Sequence, residues 1–167
     1  TEISGGMPDE NGLATTEAVE RKVWVYDGVR LETGGMTSEA ALTAAAQKMV
    51  LAEIDKNDKS SAVNGFMLNG QRVWLDKATR VGLMNSTSIA KAMGQPTTTL
   101  WLGDVKLVVE CDKAIQLLSA LEMYALECFN VTAAHKKAVA ELNTVEEVLG
   151  YDYTKGYPEQ LKMEVSL

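Results

Sequence analysis

From residue 112 to 142 the chain runs without Pro or Gly, and Leu118, Leu121, Ala125, Cys128, Thr132, His135, Val139 and Leu142 follow one another in alternating steps of three and four. Leu117, Tyr124, Val131 and Ala138 recur every seventh residue beside that seam, widening it to the stripe of a helix packed on a domain core. The pattern predicts one long helix over 112–142, capped by Asp112, with a polar step at Thr132 and His135. At 1.5 Å per residue the rod would be roughly 45 Å long, more than a chain of this size needs merely to cover a sheet. Part of it is therefore expected to meet a partner.

Three shorter segments turn back at dipeptides suited to tight hairpins. Residues 22–26 and 29–32 flank Asp27-Gly28, 66–68 and 71–75 flank Asn69-Gly70, and 98–102 and 105–109 flank Gly103-Asp104. Asp-Gly and Asn-Gly readily take the positive φ angles of a type I′ turn, and Gly in first place suits type II′. A helical segment follows each hairpin. The first opens at Thr37-Ser38-Glu39, has an apolar face of Leu42, Ala45, Ala46, Met49, Val50 and Ile54, and leaves through an expected loop at 55–61. The second is capped by Asp76 and stopped by Gly94 and Pro96; the third is the long helix. Thr144 and Glu147 form a capping box for a short helix that Gly150 ends.

The fold class read from these signals is α+β: antiparallel β-hairpins, in three hairpin-helix units, forming a sheet packed against helices, with one long C-terminal helix. Three segments are distinguished: a flexible N-terminal arm over 1–20, carrying Gly5-Gly6, Pro8 and Asn11-Gly12, an N-terminal hairpin-helix unit over 21–60, and an α+β domain over 61–167.

Composition narrows the functional classes. A chain of 167 residues that is 46% hydrophobic and 23% charged can bury a full core. A net charge of −7 argues against nucleic acid or an anionic membrane as the main partner, because both reward clustered Lys and Arg. No basic-then-apolar leader and no long apolar run is visible, so neither a signal peptide nor a membrane span is expected. Thr1 in first place fits either trimming or a piece cut from a longer chain.

Catalytic chemistry finds little to work with. His135 is the single histidine, and Cys128 lies two helical turns from it, roughly 10 Å by helix rise and beyond a nucleophile-base hydrogen bond. His135 is read as structural or as a polar layer in a helix interface. Cys111 and Cys128 have no neighbours at zinc-site spacing, and the run from Asp55 departs from a calcium loop at Lys59, Ser60 and Phe66. No phosphate loop, nucleophile elbow or metalloprotease motif occurs, so no enzyme, metal or cofactor is expected. An acidic pair such as Asp104 and Glu110 would have to converge to revive an enzyme reading. The hairpin tryptophans Trp24, Trp74 and Trp101 are expected to fill the core, with a sugar-stacking platform as the alternative.

The Asn69-Gly70 hairpin leading to Trp74-Leu75-Asp76, the Leu100-Trp101 hairpin, the long helix and the close from Thr144 to Tyr157-Pro158 resemble a domain-of-unknown-function family. That family recurs in bacteriophage and prophage tail-fibre and tail-associated proteins of gut Bacteroidales, and the likeness covers residues 61–158. It transfers no catalytic residue. The resemblance implies a non-enzymatic structural or adaptor module of a tail appendage, in the virion or in the bacterial cytoplasm when encoded by a prophage. It also implies a homo-oligomer, with three chains favoured, and other tail proteins as partners. Leu117, Leu121, Tyr124, Cys128, Val131, Thr132 and His135 are the expected oligomer or partner interface, with Thr132 and His135 setting helix register. The alternative is a host-surface carbohydrate-binding module using Trp24, Trp74 and Trp101.

Overall fold

The computed structural model describes residues 2–4, 19–21, 23–26 and 28–166. They form a mixed α+β structure of small, mostly antiparallel sheets and four helices. Contacts gather the chain into two units that do not follow sequence order: residues 1–53 with 136–152, and residues 54–135 with 153–167. Helices α1 (Glu39–Asp58) and α3 (Cys111–Glu141) supply residues to both.

In the first unit β1 (Glu2–Ser4) pairs antiparallel with β2 (Val19–Arg21), inside the segment expected as a flexible arm; residues 5–18 of that segment lie outside the described residues. Strands β3 (Val23–Tyr26) and β4 (Val29–Glu32) form the first hairpin, whose turn includes Gly28 at φ +78°, while Asp27 lies outside the described residues. Leu31, Ala46, Val50, Val139 and Val148 are the buried apolar residues of this unit among the described residues. The Gln47 side-chain amide Nε2 donates to the carbonyls of Val139, Ala140 and Leu142 at 3.1, 3.2 and 2.9 Å. Val139 and Ala140 belong to the last turn of α3 and Leu142 follows it, where carbonyls outnumber the backbone donors, so Gln47 acts as a cap supplied from elsewhere in sequence. Thr144 caps α4 (Val145–Leu149) by accepting from the Glu147 backbone N–H at 3.2 Å.

The second unit holds the larger core. Its elements are β5 (Phe66–Leu68), β6 (Gln71–Val73), α2 (Lys77–Ala92), β7 (Thr97–Leu102), β8 (Val105–Glu110), most of α3 and β9 (Lys162–Met163). The β5–β6 turn takes Asn69 at φ +48° and Gly70 at +78°, the pair of positive angles a type I′ turn requires. Asp76 caps α2 with Oδ1 2.8 Å from the Thr79 backbone N–H, and Gly94 at φ +78° ends it. Alternation along the strands sends Phe66, Leu68, Val73, Leu75, Leu100, Leu102, Leu107 and Val109 inward, onto Ala114, Leu117, Leu118 and Leu121 of α3.

The hairpins do not join into the one antiparallel sheet expected from sequence. Among the described residues they remain separate, as β3–β4, β6–β5–β9 and β7–β8. The reason for β5 is that its second edge is already taken. β9 lies parallel to it, with the Met67 N–H donating to Leu161 O at 2.8 Å and the Asn69 N–H to Met163 O at 2.9 Å. Helix α1 also runs further than expected, through Asp58 into the segment read as its exit loop, because Lys59 N–H still reaches Asp55 O at 3.3 Å and the Asp58 carboxylate accepts from Thr132 Oγ1 at 2.8 Å. No helix among the described residues is long and apolar enough to cross a membrane.

Gly65 sits where the chain enters β5 with no room for a side chain: a Cβ there would lie 2.5 Å from the Ser61 backbone oxygen. Gly65→Ala is expected to destabilise the chain by about 1–3 kcal/mol through forced backbone movement, whereas Gly82→Ala on open α2 surface should be neutral or stabilising. Urea unfolding of the two variants checks the contrast.

Candidate functional site

Helix α3 has two faces, and the one assigned to a partner from sequence is used by the chain itself. Leu117, Leu121, Cys128 and Thr132 are buried within their own unit, and Tyr124, Val131 and His135 are half-buried. The stripe is real, but it packs inward. Within the chain the polar step joins α3 to Asp58, the last residue of α1, and to the segment around Lys155 and Tyr157. Thr132 Oγ1 donates to Asp58 Oδ1 and lies 2.8 Å from the Tyr157 hydroxyl, which must donate in return because threonine has one proton to give. His135 Nε2 lies 2.7 Å from Lys155 O, and since a carbonyl only accepts, that nitrogen carries a proton. The His135 and Tyr157 rings are 5.8 Å apart. This polar step therefore pins the segment around Lys155 and Tyr157 to the helix.

The opposite flank of α3 was missed. Met123, Leu126 and Phe129, one helical turn apart in succession, are 59%, 48% and 61% exposed. Leu126 and Phe129 line an open hollow of about 640 Å³ together with Trp74, Leu75, Arg80 and Glu122. A second apolar stripe beside the first, at the same three-residue interval, was the available signal.

The tryptophans also depart from expectation. Trp74 is 39% and Trp101 57% exposed, so neither fills the core; the side chain of Trp24 lies outside the described residues. For Trp101 the cause is the two-residue period of β7, where Leu100 and Leu102 point inward and the ring faces the other way; Trp74, just past β6, likewise stands between buried Val73 and Leu75. Lys106 Nζ sits 5.9 Å from the centre of the Trp101 ring.

Arg80 and the three carboxylates that line the hollow, Asp58, Asp76 and Glu122, are engaged within the chain. Arg80, buried, donates from Nε to Glu122 Oε1 at 2.8 Å and from its guanidinium to Leu75 O at 2.9 Å. Asp76 holds the start of α2, and its carboxyl lies below the usual range chiefly because the Thr79 backbone N–H, then the Thr79 hydroxyl, bond the charged form. Asp58 accepts the Thr132 hydroxyl hydrogen bond. Burial pushes the Cys128 thiol up, which disfavours the thiolate a nucleophile needs, and burial likewise raises the Tyr124 hydroxyl. Asp104 stands in the β7–β8 turn while Glu110 ends β8, roughly 20 Å apart by strand rise, so that acidic pair does not converge. Among the described residues no group of three or more His, Cys, Asp or Glu is placed to hold a metal ion.

Glu122→Ala would leave the Arg80 cation without its carboxylate and should cost about 2 kcal/mol. Arg80→Met combined with Glu122→Leu should cost less, because no unpaired charge remains. Denaturant midpoints at neutral pH separate the two outcomes.

Comparison with curated proteins and with solved structures finds no match to this chain. A family model does match over residues 44–155, and it places the chain in the domain-of-unknown-function family DUF4376, to which it belongs.

Proposed function

We propose that the chain is a non-enzymatic structural or adaptor module of a bacteriophage or prophage tail appendage, acting through protein–protein assembly. The observation that carries this reading is the exposed apolar flank of α3, where Met123, Leu126 and Phe129 stand beside the hollow edged by Trp74. A contiguous apolar patch with charged neighbours is the usual form of a contact surface. The tail itself enters through the likeness of residues 61–158 to tail-associated sequences, an argument by association. The partner that meets this flank is another tail protein, and the chain resides in the virion, or in the bacterial cytoplasm while a prophage encodes it. The engaged carboxylates and the buried, protonated Cys128 thiol favour holding over bond chemistry.

The exposure of Trp74 and Trp101 supports a second reading, a host-surface carbohydrate-binding module in which a ring stacks on a sugar face. On that reading Trp74→Ala abolishes binding on a glycan array and Leu126→Glu leaves it largely intact.

The assembly reading is tested on tails purified from a strain carrying the element that encodes the chain. An antibody to the chain should label the tails, and the Leu126→Glu, Phe129→Glu double variant should fold with unchanged circular dichroism yet be absent from them. Tails that never carry the chain, or that incorporate the double variant as well as the natural chain, overturn it.

A further inference from the structure

The hairpin β7–β8 is a two-stranded sheet among the described residues, so β8 presents an edge with no strand beside it. Which backbone groups that edge offers follows from the register. Leu102 and Val105 flank the two-residue Gly103-Asp104 turn and are therefore a hydrogen-bonded pair. Pairs alternate from there, so Leu100–Leu107 and Thr98–Val109 bond to each other, while Lys106, Val108 and Glu110 turn their N–H and C=O groups away from β7. The Cys111 N–H donating to Pro96 O at 3.0 Å continues the same alternation. An open groove of about 670 Å³ borders this edge, with Val108 and Glu110 on one wall and Met163 and Val165 on another.

The three residues that face outward through their backbone also share the exposed face of the hairpin, and they read positive, apolar, negative. Val108 is 58% exposed, an unusual place for a large apolar side chain, and Lys106 and Glu110 stand at equal distances on either side of it. Charged side chains guard a strand edge against its own copy only where like signs meet across the pairing. This edge is instead complementary to itself. Laid antiparallel against an identical strand with Val108 opposite Val108, it sets Lys106 against Glu110 of the other copy, twice, and the two Val108 residues exchange both their N–H···O bonds. Such an arrangement closes under a two-fold axis, the commonest symmetry of soluble oligomers.

We propose that β8 pairs with β8 of a second copy of this chain, making a continuous four-stranded antiparallel sheet, β7–β8–β8–β7, across a two-fold axis. The occupant is a second copy because the charge order matches its own reverse; no other strand is asked of the fold. Trp101, cross-strand to Lys106, then flanks the ion pair on the same face. The pairing rests on the chain being an assembly module, but it uses a surface separate from the outer flank of α3.

The test is the mass of the full chain in solution by light scattering. The natural chain should approach twice 18.1 kDa as concentration rises. Lys106→Glu places acid against acid at both ends of the paired strands, and Glu110→Lys places base against base; each should weaken dimerisation about tenfold or more. Mixing the two single variants should restore a dimer, and the Lys106→Glu, Glu110→Lys swap should dimerise alone, since both arrangements bring opposite charges back together. That rescue cannot arise from misfolding. Val108→Pro, which removes an outward N–H and no bond to β7, should also give a single chain with unchanged circular dichroism. A natural chain that stays single at all concentrations, a trimer, or a dimer indifferent to both charge variants overturns the pairing. If a dimer survives them but is lost in Phe129→Glu, self-assembly stands at α3 and the strand pairing falls. A dimer that behaves as described in a chain absent from tails overturns only the tail reading.

Discussion

Everything in the larger unit hangs on the inward seam of α3. Strands of three residues, such as β5 and β6, cannot hold their own hydrogen bonds against water, and a lone hairpin is at best marginal. Ala114, Leu117, Leu118 and Leu121 give two such hairpins a common apolar surface, and Phe66, Leu68, Leu100, Leu102 and Leu107 become almost fully buried against it. Deleting a buried Leu from such a seam typically costs about 2–5 kcal/mol, a large share of what a domain of this size has to lose. The first turns of α3 thus serve two hairpins that do not merge into one sheet.

That requirement explains why the residues first read as a partner surface are unavailable. A stripe of Leu at three and four spacing says that a helix face is covered, not by what. Leu117, Leu121 and Cys128 carry the same pattern whether the cover is a neighbouring molecule or the chain's own strands. Thr132 and His135 looked like register pins between helices, and they are pins, but to Asp58, Lys155 and Tyr157 of the same chain. Their partners lie 74 and 20–25 positions away in sequence, beyond any periodicity argument.

Local chemistry was more legible than assembly. Asp76, Asn69-Gly70, Gly103 and Thr144 act where their backbone preferences put them, because caps and tight turns are settled within four residues. The tryptophans were expected in the core and stand outward, although Val73-Trp74-Leu75 and Leu100-Trp101-Leu102 carried the contrary signal in the two aliphatic neighbours of each ring. The general tendency of Trp toward interiors was the weaker rule, and strand alternation overrode it. By contrast, the union of β5 with β9 joins the middle of the chain to residues close to the last described ones, and nothing in Lys162 or Met163 announces a strand.

That late-arriving strand has a consequence for biogenesis. Asn69 is bonded on both sides of its amide to Val165, across 96 positions, so β5 must wait for nearly the whole described polypeptide before its second edge is closed. On the ribosome the Asn69-Gly70 hairpin is made before α3 and β9, so its second edge must stay unpaired with β9 while α3 is made. A nascent chain stalled short of residue 161 would present that raw edge to chaperones or to its neighbours on the same messenger.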